Sequence, residues 1–363
     1  MEVARLVEKI SIGPYHPYLL EPWKVELATD GDTVVSAQVV TGYAHRGIEK
    51  LLSANSYRKG LFIAERVCGI CSAVHTNTFS QTVEGLFSIE VPERARYLRV
   101  VYLELERLHS HYLALAMMAH AVHRTTDFTE FMLGREMVMS AMEALAGNRV
   151  NLGVMVPGGV RRDVSPAQAN ATRGIMPGLR ALSAKAISEL ENGADWANEL
   201  AGRGKVTGAD AVKFGGVGPV ARGSGVASDI RSDDPYAAYK ELNFKILVEN
   251  GTDVLARTRV RARETVESIR LIEDALAEMP AGKIDADLPS PFESEFVGRS
   301  EAPRGEVVYY MRSDKSNGPA RVKIRTPTFA NHRVLVEMLR GNKVTDVQKI
   351  IESIDPCLSC TDR

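Results

Sequence analysis

The four cysteines of this 363-residue chain fall as two pairs, Cys68-Gly69-Ile70-Cys71 and Cys357-Leu358-Ser359-Cys360. Each pair is a C-x-x-C, a spacing at which two thiolates can share one metal ion. A single C-x-x-C can also serve as a thiol–disulfide redox pair, but that chemistry sits in a βαβ context that neither pair has. In a reducing compartment four such thiols are poor candidates for structural disulfides. The two pairs together therefore read as one four-thiolate metal site. Structural zinc is the commonest site of this kind, yet zinc ribbons keep their pairs roughly 15–20 residues apart because the metal organises a small local fold. Here 286 residues separate Cys71 from Cys357. A site closed by both ends of a large chain fits a scaffold that holds a reactive centre. Soft thiolates suit nickel and iron as well as zinc, so spacing alone leaves the metal open.

The elements that must bring the pairs together are mostly helical. The segment Glu65 to His75 begins or lies on a helix, with Cys68, Cys71 and His75 on one face at i, i+3 and i+7. Asp355-Pro356 fixes a turn just after a helix that ends near Ile354, so the second pair is presented from a rigid corner. Pro92-Glu93 opens a long helix whose apolar residues Val101, Leu105, Leu108, Tyr112 and Leu115 recur at helical spacing. Further helices are expected at 165–200, 235–249 and 253–279, the last stopped by Pro280, and two shorter ones near the end, broken at Gly341-Asn342. Lys24-Val25-Glu26-Leu27 and Val34 to Val39 flank Asp30-Gly31, and Val307 to Tyr310 and Arg321 to Ile324 flank Asn317-Gly318, two hairpin signals. The fold class is mainly α (α+β): a central long-helix bundle with small peripheral antiparallel β-hairpins. Its parts are an N-terminal β-hairpin region (1–60), a helical core carrying the first pair (61–290), and a C-terminal β-hairpin and helices carrying the second (291–363). In the glycine-rich stretch 202–225, Gly216-Val217-Gly218-Pro219-Val220-Ala221 fits G-x-G-x-x-A. No apolar strand precedes it and Pro219 interrupts the helix start, so it reads as a structural loop rather than a dinucleotide site.

Composition excludes several classes. With 45 Lys+Arg against 46 Asp+Glu, a formal charge of −1 and no basic tract, the chain is no nucleic-acid binder. A hydrophobic content of 45% excludes disorder. The longest nearly apolar stretch, Tyr112 to Val122, is far short of the roughly 20 residues a membrane helix needs. The start, Met1-Glu2-Val3-Ala4-Arg5-Leu6-Val7-Glu8, has no sustained apolar core and is no export signal. These features describe a soluble intracellular chain.

The residues around the cysteines carry a family resemblance. Arg66-Val67-Cys68-Gly69-Ile70-Cys71 near the start and Asp355-Pro356-Cys357-Leu358-Ser359-Cys360 near the end resemble the paired signatures of [NiFe]-hydrogenase large subunits. Gly13-Pro14-Tyr15-His16-Pro17, Tyr43-Ala44-His45-Arg46-Gly47-Ile48-Glu49-Lys50, Pro157-Gly158-Gly159-Val160, Arg321 to Arg325 and Pro327 to Asn331 are similar to the quinone-site subunit of respiratory complex I. That blend, along nearly the whole chain, is what the energy-converting, membrane-bound (group 4) hydrogenases show. The complex I relatives lack the cysteines and carry G-P-x-H-P-x-x-H-G, whose second histidine contacts quinone. Leu20 and Glu21 stand at its last two positions here, which favours a hydrogenase.

The resemblance implies a fold like that of [NiFe]-hydrogenase large subunits and an Ni-Fe(CN)2(CO) centre. Cys68 and Cys357 would be terminal on nickel, and Cys71 and Cys360 would bridge to iron. Pro303 and Arg304 in Ala302-Pro303-Arg304-Gly305, with Pro327 and Thr328, would line the diatomic ligands. Arg304 would sit over the open metal site and the Thr328 hydroxyl would donate to a cyanide. Alone, Arg304 reads as a surface arginine. His75 would hydrogen-bond near a bridging cysteine, although a helix-face histidine is more often a satisfied core residue. Heterolysis of H2 needs a base, and Glu21 matches the family's relay glutamate beside Cys357, its pKa raised by Leu19, Leu20, Pro22 and Trp23. Asp355 could orient its own turn or the Cys360 loop. His109, His111, His120 and His123 lie on a long helix whose apolar stripe explains most of them, and none is assigned as a ligand. At the end of the chain Arg363 stands where many members have a histidine that ligates Mg2+ or Fe2+; an arginine cannot ligate, so no such metal is assigned.

The expected function is the catalytic subunit of an energy-converting [NiFe]-hydrogenase that interconverts H2 with protons and electrons. With all four cysteines in one site, no iron–sulfur cluster fits in this chain. Electrons must pass through a small subunit with a [4Fe–4S] cluster and on to ferredoxin. Further complex I-like hydrophilic and membrane subunits would couple this to ion translocation, which places the chain peripherally on the cytoplasmic side of the cell membrane. The alternatives are a formate-hydrogenlyase or CO-linked complex, or, without enzyme activity, a four-cysteine zinc scaffold or a cysteine-retaining complex I-like subunit.

Overall fold

The computed structural model describes residues 8–363; residues 1–7, on which the reading of the chain start rests, lie outside them. Three antiparallel strands open the chain, β1 (Glu8–Ile12), β2 (Lys24–Asp30) and β3 (Thr33–Val40), in the order β1-β2-β3. A hairpin joins β2 to β3 where expected, though Asp30 closes the ladder against Thr33 and the turn itself is Gly31-Asp32, one residue on, with Gly31 at φ 59°. Helices α1 (Ile48–Ser53), α2 (Tyr57–Glu65), α3 (Ser72–Phe87), α4 (Glu93–Ala121) and α5 (Thr125–Ala146) follow. A minimal hairpin, β4 (Met155–Val156) and β5 (Gly159–Val160), leads into α6 (Pro166–Asn192) and α7 (Ala194–Leu200). Single-turn or two-turn helices α8 (Gly208–Lys213), α9 (Pro219–Arg222) and α10 (Ile230–Asp233) precede the long α11 (Val254–Glu278). A second three-stranded sheet, β6 (Glu293–Ala302), β7 (Gly305–Asp314) and β8 (Pro319–Arg325), is followed by α12 (Pro327–Leu339), α13 (Val347–Ile354) and α14 (Leu358–Thr361).

The core is built on α4, which packs between α5 and α11, with α6 laid against both. Pro92 stands at its N-cap, where a missing N–H costs nothing, and the expected stripe of Val101, Leu105, Leu108, Tyr112 and Leu115 is wholly buried. The other faces are buried too: Arg99, Glu104, Glu106, Arg107, His109 and His111 lie inside. A one-face reading of α4 is therefore too narrow. Its charged residues are satisfied inside, Arg99 by Glu84, Glu104 by Arg107 and Arg231, and Glu106 by backbone N–H donors. No helix among the described residues is long and apolar enough to cross a membrane.

The expected helices over 165–200 and 253–279 form, the first divided at Gly193 and begun by a Ser165–Gln168 capping box, the second capped by the Asp253 carboxylate. The helix expected at 235–249 does not. Ala237 and Asn243 take φ 48° and 47°, and the segment is pinned through Tyr236 and Tyr239 and through bonds from the Lys245 N–H to Glu267 and the Glu249 N–H to the Arg222 carbonyl. Tertiary contacts override the helical expectation there. Pro219 opens α9 at its first position rather than interrupting it. The glycine-rich stretch is a loop around α8 and α9, and Gly218 explains part of its composition. At φ 65°, a Cβ on Gly218 would stand 2.3 Å from the Arg304 carbonyl oxygen, so only glycine lets this loop press against the β6–β7 turn.

Candidate metal centre

All four cysteines are reduced and buried, no more than 2% exposed. The two pairs interleave. The Cys68 sulfur lies 3.3 Å from that of Cys357, Cys71 lies 3.4 Å from Cys360, and Cys357 lies 3.1 Å from Cys360. The sulfurs of Cys68, Cys71 and Cys360 all fall within 4.8 Å of one another, the single such metal-capable group among the described residues. Charge explains why this set suits a soft cation. Cys68 is held well below the ordinary thiol range by hydrogen bonds from the Cys357, Cys360 and Cys71 thiols, with Arg304 assisting against burial. Cys71 is pushed up, first by its bond to Cys357, and Cys360 is pushed up, first by burial. The interior accommodates one negative sulfur easily and resists the rest, a balance that a bound metal cation reverses.

The first pair does not lie along a helix face. Cys68 sits in the turn after α2, with the Ile70 N–H donating to its sulfur at 3.2 Å, and Cys71 is the N-cap residue of α3. Only His75 is within the helix. Glu106 of α4 reaches the start of α3: one oxygen accepts the Ala73 N–H at 2.5 Å and the Ser72 hydroxyl at 3.4 Å, the other the Val74 N–H at 2.8 Å. Burial pushes the Glu106 carboxyl up to about 8 against the pull of those N–H donors. His109, one helical turn on, bonds the Ile70 carbonyl through Nε2 at 2.9 Å, its pKa brought down to about 4 by burial, so the ring is neutral and donates. The second pair follows the expected corner. Asp355 takes φ 53° at the end of α13, Pro356 follows, and Cys357 is the N-cap residue of α14.

The residues expected around the cysteines converge on them. Glu21 sets both carboxyl oxygens against the start of α14, one accepting the Leu358 N–H and the other the Ser359 N–H at 3.0 Å. Its pKa is raised, first by burial and then by the charge at Cys68, with the two N–H donors and Arg304 opposing. Leu20 takes no part in that apolar setting, being 55% exposed. Pro303 and Arg304 form the two-residue turn between β6 and β7, buried rather than exposed as hairpin tips usually are. Arg304 donates to the Asp355 carbonyl at 2.6 Å, to the Asp355 carboxylate at 2.7 Å and to the Ser110 hydroxyl at 3.1 Å. Burial works against its charge, but Asp355 and the sulfurs of Cys357, Cys71 and Cys68 outweigh this and raise its pKa. The surface-arginine reading does not hold, and Asp355 orients Arg304 rather than the Cys360 loop.

Thr328, buried in the first turn of α12 behind Pro327, accepts the Cys357 N–H at 3.0 Å and keeps its own O–H free to donate. His75 lies 3.4 Å from the Cys360 sulfur through Nε2 and 2.9 Å from the Tyr309 hydroxyl through Nδ1. Burial brings its pKa down to about 4 and raises that of Tyr309. The neutral ring can take the phenol O–H on Nδ1 and so offer Nε2–H to the sulfur.

Several side chains around the cysteines were given no role in the reading of the sequence. Besides Glu106 and His109, the Arg46 guanidinium donates to the carbonyls of Arg66 (2.7 Å), Val67 (2.8 Å) and Ser359 (2.8 Å), tying the two cysteine segments together. His45 bonds the Asp362 carbonyl at 2.7 Å, and the Ala44 N–H donates to the Asp362 carboxylate at 3.0 Å. His111 pairs with Glu264 at 2.7 Å, while His120 packs on Phe128. Arg363 donates to the Thr361 carbonyl at 2.6 Å and to the Ile324 carbonyl, and lies 3.4 Å from the Glu49 carboxylate.

The profile of a family described as respiratory-chain NADH dehydrogenase, 49 Kd subunit, matches residues 122–293 and 289–363, and that of nickel-dependent hydrogenase matches residues 46–120. The chain is 37% identical over 356 residues to the carbon monoxide-induced hydrogenase of Rhodospirillum rubrum, covering 98% of this chain and 99% of that one. It is 40% identical over 372 residues to membrane-bound hydrogenase subunit alpha of Pyrococcus furiosus, covering 98% and 87%. Among solved structures, a chain of the membrane-bound sulfane sulfur reductase, an archaeal respiratory membrane complex, superposes with a TM-score of 0.93 at 30% identity over 100% of both chains.

Proposed function

The chain belongs to the [NiFe]-hydrogenase large-subunit family, on its energy-converting branch related to the 49 Kd subunit of complex I, and on that premise we propose that it catalyses the interconversion of H2 with protons and electrons at a four-thiolate nickel–iron centre. The observation that carries this is the interleaving of four buried, reduced sulfurs from opposite ends of the chain. When bound, a nickel–iron centre carrying CO and cyanides supplies the heterolysis of H2 and accepts its electrons. Cys68, Cys71, Cys357 and Cys360 would hold it, Cys68 and Cys357 on the nickel side and Cys71 and Cys360 between the two metals.

The remaining steps belong to the protein. Arg304, fixed by Asp355 and Ser110, places a permanent positive charge against the sulfurs and keeps water from the open face. Pro303 and Pro327 would wall the diatomic ligands, and the Thr328 O–H, whose oxygen accepts the Cys357 N–H, would be available to donate to one of them. Nε2–H of His75 moderates the charge on Cys360. Glu21 would take the proton released beside Cys357, burial and the charge at Cys68 having raised its affinity for one.

The four cysteines are consumed by one site, so electrons leave through a partner. That partner is an iron–sulfur small subunit with a [4Fe–4S] cluster, which passes them to or from ferredoxin. Complex I-like membrane subunits couple the transfer to ion movement, with this chain peripheral on the cytoplasmic side. The likeness to a carbon monoxide-induced hydrogenase supports a second reading, in which CO oxidation feeds the same centre.

Exchange of D2 with solvent protons by the anaerobically purified complex tests the proposal. Exchange is expected in the native protein and its loss in Cys357→Ser. Absence of exchange from fully metallated native complex contradicts it.

A further inference from the structure

Glu106 has no part in the chemistry proposed above, yet it is fully buried and both of its oxygens are committed to the segment that carries the first cysteine pair. The reason lies in how α3 begins. A helix leaves its first N–H groups without partners, and the N-cap side chain ordinarily accepts one of them. At α3 the N-cap residue is Cys71, whose side chain makes no capping bond because its sulfur points to Cys360. A metal ligand cannot also cap its own helix. Ser72, next in line, bonds the Val150 carbonyl at 2.6 Å through its hydroxyl. The Ala73 and Val74 N–H groups would therefore be orphaned in a dry interior. Glu106 takes both, one on each oxygen.

We infer that Glu106 is a positioning residue for the metal centre: a cap supplied from α4, in place of the one Cys71 cannot give, that sets where the Cys71 sulfur stands relative to Cys360. His109, three residues along the same helix, holds the other side of the turn through the Ile70 carbonyl. From one face of α4, Glu106 thus holds the first free N–H groups of α3, immediately after Cys71, and His109 holds a carbonyl within the Cys68–Cys71 loop. The loop's own hydrogen bonds could not fix it this way, since its only side chain–backbone bond within the pair is the Ile70 N–H to the Cys68 sulfur. The inference rests on reading the four thiols as a nickel–iron site, and its test keeps the two separable.

Amide hydrogen exchange over residues 68–76 of the metal-free chain, nickel content, and the infrared cyanide and CO bands of the loaded complex are compared in native, Glu106→Ala and Glu106→Gln proteins. In Glu106→Ala the Ala73 and Val74 amides should exchange roughly tenfold faster or more, the scale of one lost buried hydrogen bond. Nickel content should fall, and the bands of whatever loads should shift or broaden. Glu106→Gln keeps one acceptor oxygen, so one amide should stay protected and the bands should shift less; this arm decides the matter if the alanine variant does not fold. A general packing role for Glu106 would lower thermal stability while leaving the band positions unchanged, and that result overturns the inference, as does native exchange in both variants. Native protein lacking nickel and cyanide bands would instead sink the functional reading while leaving the exchange result to stand or fall alone.

Discussion

In the proposed function, Glu21 is the residue on which proton handling turns. Its carboxyl is anchored by the Leu358 and Ser359 N–H groups immediately after Cys357, while burial and the charge at Cys68 raise its affinity for a proton. A carboxyl so placed can receive a proton from the neighbouring sulfur and release it outward. Glu21→Gln keeps an acceptor for the helix start but cannot carry a proton. Turnover of H2 and protons should nearly vanish while nickel stays bound; unaltered turnover in a steady-state H2 assay would refute the assignment. Among single residues, those that gather at the cysteines were legible: the cysteines themselves from spacing, and Glu21, Arg304, Thr328 and His75 from the motifs around them. What those residues hold on to was not. Arg304 reaches Asp355 and Ser110, and Arg46 and Glu106 act on backbone groups far away in sequence. A backbone acceptor has no residue type, so no motif announces it.

Among the elements, α13 delivers the second cysteine pair, and Glu352 in its last turn is a buried carboxyl 7% exposed. Burial, followed by the charge of Asp355, pushes its pKa up to about 8 from an ordinary 4.5. Between these values the folded chain holds a proton that the unfolded chain has released. Stability from this group is therefore complete below the ordinary value and is lost as pH rises toward 8, on the order of a few kcal/mol in all. Glu352→Gln should match the native midpoint of urea unfolding near the acid end of that window and exceed it at the alkaline end, measured on metal-free protein. Parallel pH dependence in the two proteins would contradict this. The elements themselves were legible where local chemistry is strong: the hairpins at Asp30-Gly31 and Asn317-Gly318, Pro92 before α4, Asp355-Pro356 after α13. β6 was missed because its hairpin turns on Pro303-Arg304, which carries no turn signature and is recruited to the site instead. The segment 235–249 was expected to be a helix, but aromatic anchoring decides its path.

At the scale of the whole molecule, the centre is where three parts of the chain meet. The N-terminal region supplies Glu21 and Arg46, the helical core supplies Cys68, Cys71, Glu106 and His109, and the C-terminal region supplies Arg304, Thr328, Cys357 and Cys360. The paired sulfurs are 289 residues apart in sequence, and Arg46 bridges both cysteine segments. A metal that binds only this closed arrangement stabilises the fold by mass action, so loading the centre should hold the two ends of the chain together more firmly. The central claim is that these four sulfurs hold nickel and iron rather than zinc. Metal analysis of the anaerobically purified complex, joined with its infrared spectrum, tests it most directly. The account predicts nickel and iron in equal amounts with absorption bands from CO and cyanide, lost together in Cys68→Ser. Zinc in their place, with no such bands, would contradict it.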